Sequence, residues 1–319
     1  GEYRIWRIDA GGGGRPKPLP VYGEFPIQLS VARKAREMAY AALHQDRNIW
    51  QLDLTSKTWK RVISSTAQDA SPQFSPDGGR ILFRSDRGGN EQLWVSDPLG
   101  GSPQQVTQGQ VRPSVGRWAP DGRRIVFNDP VAKQICLVEP ADGRWQARSL
   151  GIPGVHPVFS ADGQWIYAGG LTEIVRAPAQ GGPLETVAKS RAESLSASRD
   201  GNWIYFVREP NDTSLWRASV KSGEIEKVLD GLLPSCSSCY ALAAEAIYFL
   251  GSRPETYDRQ ILYRHDLTTR RTEPFVDYPE PLWPIGSGPF SLSPDGKQLL
   301  TVRVDQLNSD VMRVRWAGE

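Results

Sequence analysis

Short apolar and aromatic runs recur along the chain, each opened by a turn of fixed composition. The clearest copy reads Phe74-Ser75-Pro76-Asp77-Gly78, then Ile81-Leu82-Phe83, a polar loop, and Leu93-Trp94-Val95. The order returns at Trp118-Ala119-Pro120-Asp121-Gly122 with Ile125-Val126-Phe127 and Ile135-Cys136-Leu137. It returns again at Phe159-Ser160-Ala161-Asp162-Gly163 with Trp165-Ile166-Tyr167 and Ile174-Val175, and at Ser198-Arg199-Asp200-Gly201 with Ile204-Tyr205-Phe206 and Leu215-Trp216. A late copy is Ser293-Pro294-Asp295-Gly296 with Leu299-Leu300 and Val311-Met312. The turn aspartates Asp77, Asp121, Asp162, Asp200 and Asp295 are 44, 41, 38 and 95 residues apart. The last step holds two periods, and a degenerate copy fills it at Ala246-Ile247-Tyr248-Phe249 with Ile261-Leu262-Tyr263. Another degenerate copy stands ahead of the first, at Met38-Ala39-Tyr40-Ala41 with Ile49-Trp50.

A period near 44 residues with several short strands per copy fits a propeller blade. Helical repeats of similar length need longer uninterrupted stretches at 3.6 spacing, and Gly and Pro (31 and 25 residues) break the chain too often for that. Arg33 to Ala42 holds helix-forming residues, yet its place in the period predicts a turn and strand. In the Pro-Asp-Gly turns Pro sets φ, Asp bonds back to turn amides and Gly accepts positive φ. Gly100-Gly101, Gly181-Gly182 and Gly11 to Gly14 mark turns into outer strands. The pattern predicts an all-β chain, a β-propeller of four-stranded antiparallel blades forming a single domain over residues 1–319. Seven blades are favoured, with eight or six also compatible, because one N-terminal strand is surplus. Their bounds are 21–66, 67–108, 109–150, 151–190, 191–231, 232–277 and 278–319, with residues 1–20 supplying a strand that closes the ring.

Composition narrows the function. A formal charge of +2 gives no electrostatic footprint for nucleic acid, so no DNA binding is expected through this region. No apolar run is long enough to span a membrane. The chain opens at Gly1 without a signal-peptide pattern, which reads as a mature form or a piece of a longer protein.

The residues also carry a resemblance. Ser75-Pro76-Asp77-Gly78, Phe83, Ser85-Asp86-Arg87-Gly88-Gly89, Leu93-Trp94-Val95 and Gly100-Gly101 are similar to the WD-like repeat of TolB-type propellers. Ile5-Trp6-Arg7-Ile8, Asn48-Ile49-Trp50-Gln51-Leu52-Asp53-Leu54, Ser71-Pro72-Gln73-Phe74 and the closing run from Val304 to Met312 resemble the C-terminal propeller of acidobacterial CadC-like winged-helix regulators. That resemblance implies a sensing or docking module on the periplasmic side of a membrane-anchored regulator, its DNA contact made by a domain outside this sequence. A periplasmic interaction scaffold of the TolB kind is the alternative.

Candidate chemistry is sparse. No Gly-x-Ser-x-Gly elbow is present, and His44, His156 and His265 are dispersed. The Gly11 to Gly14 run lacks the spacing of a phosphate cradle. No cofactor or metal is expected, and an enzyme reading would need a lyase or cyclase site in the central channel. Propellers bind at loops around the channel mouth, which nominates Asp86, Arg87, His156, Arg208, Arg253 and Asp258 for a protein or small-molecule partner. The competing reading of those charges is solvated local pairing. Cys236-Ser237-Ser238-Cys239 has the spacing of a local disulfide, a redox dithiol, a metal half-site or two free thiols. The periplasmic setting implied by the resemblance selects the disulfide.

Overall fold

The computed structural model describes residues 5–8, 15–19, 25–32, 37–209, 212–234, 236, 238–253, 256–279 and 290–315. All regular structure among them is β-strand. The chain divides into two compact units, Asn48–Arg303 and a second made of Gly1–Arg47 with Val304–Glu319.

Within Asn48–Arg303 each sequence repeat becomes one antiparallel sheet whose four strands follow chain order. The first sheet is Ala70–Phe74, Ile81–Ser85, Gln92–Ser96 and Gln104–Gln105. The second runs from Arg117–Trp118 to Arg144–Ile152, and the third from Val155–Phe159 to Glu185–Ala188. The fourth runs from Glu193–Ala197 to Ile225–Asp230, and the fifth from Tyr240–Leu242 to Thr272–Asp277. A sixth sheet draws on both ends of the unit. Ser291–Leu292 pairs with the start of Gln298–Arg315 (Ser291↔Leu300); this lies beside the end of Glu37–Asp53, which pairs with Trp59–Ile63 (Leu52↔Trp59). The Leu54 amide donates to the Lys297 carbonyl at 2.8 Å.

Two hairpins expected from the period are absent. Met38 to Ala41 and Ile49-Trp50 lie on one strand, Glu37–Asp53, and Leu299-Leu300 and Val311-Met312 lie on another, Gln298–Arg315. Neither intervening segment contains Gly or Pro, and each continues as strand. Two of the seven anticipated strand pairs are therefore single strands. The described part of residues 1–20 forms a pairing of its own. Among the described residues Trp6–Arg7 pairs with Lys17–Pro18, while Trp59–Ile63 supplies the outer strand of the sixth sheet. The Gly11 to Gly14 turn lies outside the described residues.

The middle strands are apolar throughout because both of their faces are buried. Ile81, Leu82 and Phe83 are all fully buried: Ile81 and Phe83 pack with Ile49, Ile63 and Leu300 of the sixth sheet, and Leu82 packs with Trp118 and Ile125 of the second. Period-two alternation thus sends successive side chains to the two neighbouring sheets. The same division repeats around the unit, Val126 and Ile166 joining second to third, Tyr167 and Phe206 third to fourth, Tyr205 and Phe249 fourth to fifth, and Leu250 and Leu299 fifth to sixth. This cyclic packing is that of a β-propeller.

The turns act as the sequence requires. Asp77 Oδ1 accepts from Ser75 Oγ and from the Gly79 amide (3.0 Å), Ser75 Oγ accepts from the Arg80 amide (2.9 Å), and Gly78 takes φ of +71°. Gly100 answers a different need, since a Cβ there would meet the Val62 carbonyl oxygen of the neighbouring sheet at 2.1 Å.

In the other unit Phe25–Val31 pairs with Glu37–Asp53 (Val31↔Met38). Met38, Tyr40, Ala42 and Val314 are buried together, and Glu37 forms ion pairs with Arg313 and Arg315.

Candidate functional site

The first strand of each sheet lines the axis of the Asn48–Arg303 unit. Three of these inner strands share a bulge with one residue in the left-handed region, namely Ser71 (φ 53°), His156 (φ 49°) and Ser194 (φ 54°). Two positions later along the strand, the ladder aligns Gln73, Arg117, Val158, Ser196, Ala241 and Ser291, paired with Leu82, Val126, Tyr167, Tyr205, Tyr248 and Leu300 of the neighbouring middle strands. Two of these side chains staple one sheet to the next. Ser291 Oγ accepts from the Phe74 amide at 3.0 Å, and Gln73 Oε1 accepts from the Trp118 amide at 2.7 Å. Ser196 plays a related part as a side-chain hydrogen-bond partner of Tyr240.

Arg117 occupies the same position and has no acceptor to offer. No hydrogen bond or ion pair to its guanidinium occurs among the described residues. Burial draws its pKa down to about 10, with Tyr240 of the fifth sheet opposing. His156 stands on the first strand of the next sheet. Burial pulls its imidazole down to about 4, Glu193 opposing and Arg117 reinforcing, so the ring is neutral at neutral pH. Its amide donates to Asn128 Oδ1 at 3.3 Å. The Tyr240 hydroxyl donates to the Ser194 carbonyl and is raised above its ordinary value, chiefly by burial. Glu193 is held by Arg191 at 2.8 Å.

A cleft of about 440 Å³ opens beside this cluster, where the loops joining second to third strands meet the links between sheets. Its lining includes Asn128, Lys133, Val155, Gly169, Leu171 and Glu193. Gly169 permits the close approach, since a Cβ there would meet the Ala192 carbonyl oxygen at 2.2 Å. Val131 and Leu171 stand in the same loops and are 75% and 77% exposed. Among the described residues no group of three or more His, Cys, Asp and Glu is placed to hold a metal ion.

The nominated residues Asp86, Arg87 and Arg208 make contacts within their own loops and strands. Arg87 pairs with the fully buried Asp69 at 2.8 Å, donates to Ser85 Oγ and lies over the Phe83 and Trp94 rings. Asp86 accepts from the Gln68 amide at 2.8 Å. Arg208 lies over the Trp216 ring, 3.5 Å from its centroid. These contacts are internal supports of the loops. Among the described members of the nominated set, His156 borders the axial cluster. The side chains of Arg253 and Asp258 lie outside the described part, as does that of His44. His265 is buried away from this cluster and hydrogen-bonded to Thr272 at 2.8 Å. Cys236 and Cys239 are joined as a disulfide in the structure, and Cys136 is a buried free thiol pushed up to about 11, first by burial and then by Asp129.

Sequence reasoning missed Arg117, Glu193 and Tyr240. Aligning each copy on its turn would have exposed Arg117, the one charged residue at a position otherwise held by Gln, Val, Ser and Ala.

Comparison with known proteins agrees with this architecture. Residues 34–167 match the family model of the TolB β-propeller domain. Peptidase YuxL of Bacillus subtilis is 24% identical over 174 residues, covering 52% of this chain and 26% of that protein. The chain spans about a quarter of the length of the curated relatives it matches. Among solved structures, a protein assigned as TolB from Agrobacterium tumefaciens superposes with a TM-score of 0.62 at 18% identity, covering 82% of this chain and 99% of that one. A chain of the nidogen–laminin complex superposes with a TM-score of 0.57 at 13% identity, covering 84% of this chain and 99% of that one. Matched repeat, sheet order and superposition agree: the chain has the fold of a TolB-type β-propeller.

Proposed function

We propose that this propeller is a non-catalytic docking module whose protein partner seats on the face that carries the cleft. The observation behind this is the cleft of about 440 Å³ flanked by the exposed apolar residues Val131 and Leu171. Exposed apolar side chains around a concavity favour association over solvation. The nidogen–laminin complex supports the reading, since a similar fold there belongs to a protein–protein assembly. The dispersed histidines and the structural use of Arg87 and Arg208 favour docking over a channel lyase.

The CadC-like resemblance adds a finer proposal: partner occupancy is sensed here for a regulator whose DNA-binding domain lies outside this sequence. The Cys236–Cys239 disulfide is in keeping with a periplasmic setting. Among the described residues no helix is long and apolar enough to cross a membrane.

Photocrosslinking in cells tests the docking face. A crosslinker at Val131 or Leu171 is expected to give a discrete protein adduct. One at Leu99 is expected to give none, because that exposed residue lies in a third-to-fourth-strand turn at the other end of the blades. Leu171→Asp should abolish the Val131 adduct while leaving the circular dichroism spectrum unchanged. Equal adducts from all three positions, or none, would overturn the assignment.

A further inference from the structure

The cleft beside Gly169 has three walls, and each is fixed by contacts of its own. One is the loop after Asp129. Asp129 is buried; its Oδ1 accepts the Val131 and Ala132 amides (2.9 and 3.0 Å) and its Oδ2 the Arg112 amide at 3.0 Å. The second is Pro153-Gly154-Val155, where a Cβ on Gly154 would lie 2.9 Å from both the Ala168 Cβ and the Gly169 carbonyl oxygen. The third is Gly169-Gly170-Leu171, tied to the next sheet by the Ala192 amide, which donates to the Gly170 carbonyl at 3.0 Å. A concavity held in this way gives up little conformational freedom when it is filled. The charges of its lining differ in their commitments. Both oxygens of Asp129 are bound by loop amides, and Glu193 is held by Arg191 at 2.8 Å. Lys133 is exposed and has no hydrogen bond or ion pair among the described residues.

We infer that the protein partner of this face presents an apolar side chain next to a carboxylate, the apolar group filling the cleft lined by Val155 and Leu171 and the carboxylate meeting Lys133. This rests on the docking reading of the same cleft and adds the chemistry of what docks. Apolar surface supplies affinity for many chains, and a charge at its border selects among them by rejecting like charge and fixing register. A basic segment would set like charge beside Lys133. A wholly apolar one would cover the border and strip water from the ammonium without giving it a partner. The flexible stem of a lysine lets its point charge reach a carboxylate held at varied distance. A protein segment is favoured over a small free acid because Val131, 75% exposed, continues the apolar surface beyond the cleft lining.

Amide NMR titration of the full chain at physiological salt tests this. The probes are acetyl-Leu-Glu-Leu-amide, its Leu-Lys-Leu counterpart, and octanoate. Saturable shifts of the Gly154, Gly169 and Gly170 amides are expected with the acidic peptide, and the lysine peptide should bind at least about fivefold more weakly. Lys133→Glu should reverse that preference. Lys133 has φ of 55°, and should the reversal disturb its turn, Lys133→Gln should bring the two peptides within about twofold of each other. Leu171→Ser should weaken both peptides alike, so that loss of the apolar seat is read apart from loss of the charge contact. In cells, a crosslinker at Val131 should give less adduct in the Lys133→Glu protein; an adduct formed undiminished would leave docking standing and overturn the carboxylate. Equal affinities for the two peptides, a preference untouched at Lys133, no saturable shift at the three glycines, or octanoate bound more tightly than the acidic peptide would each overturn the inference as well.

Discussion

Replacing Arg87 by alanine distinguishes a binding role for the loop charges from the structural role found here. The Arg87 guanidinium lies 2.8 Å from Asp69, whose side chain is fully buried, while that of Arg87 is 17% exposed. At an effective dielectric near 20, two unit charges at that distance attract by about 6 kcal/mol, and desolvation of both groups offsets much of it. Removing one partner leaves the desolvation of the other uncompensated, and that asymmetry typically costs about 3–5 kcal/mol. Asp69 keeps one further donor, the Ser65 hydroxyl at 2.8 Å, which argues for the lower end. Arg87→Ala also strips its stem from the Phe83 and Trp94 rings. A loss of about 3 kcal/mol is therefore expected. In a domain of this size that corresponds to a melting temperature lower by roughly 6–12 °C. Urea unfolding followed by tryptophan fluorescence and by circular dichroism measures it. The double variant Asp69→Ala, Arg87→Ala should lose at least about 1 kcal/mol less than the sum of the single losses. Additive losses, or an Arg87→Ala protein within about 0.5 kcal/mol of the parent, would refute the buried-pair account.

Asp212→Ala should cost about 1–2 kcal/mol in the same assay, because Asp212 accepts from the Ser214 amide and from Trp216 Nε1, each at 2.9 Å; a solvated loop charge would cost far less. His156 has its pKa lowered on folding from an ordinary 6.5 to about 4, so the unfolded chain binds more protons in that window. Stability should be complete above pH 6.5 and fall as pH drops toward 4, and His156→Asn should flatten that part of a stability–pH profile. The turn carboxylates Asp77, Asp162 and Asp200 are held below the usual range, first by the Ser75, Ser160 and Ser198 hydroxyls, so their contribution is present above about pH 4 and is lost as pH falls through the depressed values. Asp162→Ala should lessen the acid loss measured below pH 4. Thiol titration of the unreduced, unfolded chain should find one free thiol, from Cys136.

What could be read from the sequence followed from residues whose local chemistry and tertiary role coincide. A Ser-x-Asp-Gly turn forms wherever Ser and Asp bond within five residues of each other, and Ile81-Leu82-Phe83 must be buried on both faces wherever a neighbour lies on each side. The two missing hairpins show the limit of periodicity. The spacing of Met38 and Ile49 satisfied the repeat, but spacing alone does not reverse a chain, and no Gly or Pro stands between them. Asp86, Arg87 and Arg208 were legible as charges and not as supports, because Asp69 and Trp216, their partners or those of their neighbours, are set by the fold.

The axial cluster was harder to see for a related reason. A repeat alignment rewards what the copies share, and what they share here is packing: apolar middle strands and polar turns. A binding residue in such a fold shows itself by departing from the repeat. His156 could be noticed because histidine is rare in this chain, with 3 residues in all. Arg117 could not, because arginine is common and only the ladder register reveals that it stands where Gln73 and Ser291 make their staples. The same logic ranks the remaining charges. Arg80 and Arg124 each follow a turn and donate to the carbonyl of Gly122 or Gly163 in the next sheet, so they obey the repeat and belong to its scaffold. Arg117 has no such counterpart among the described residues.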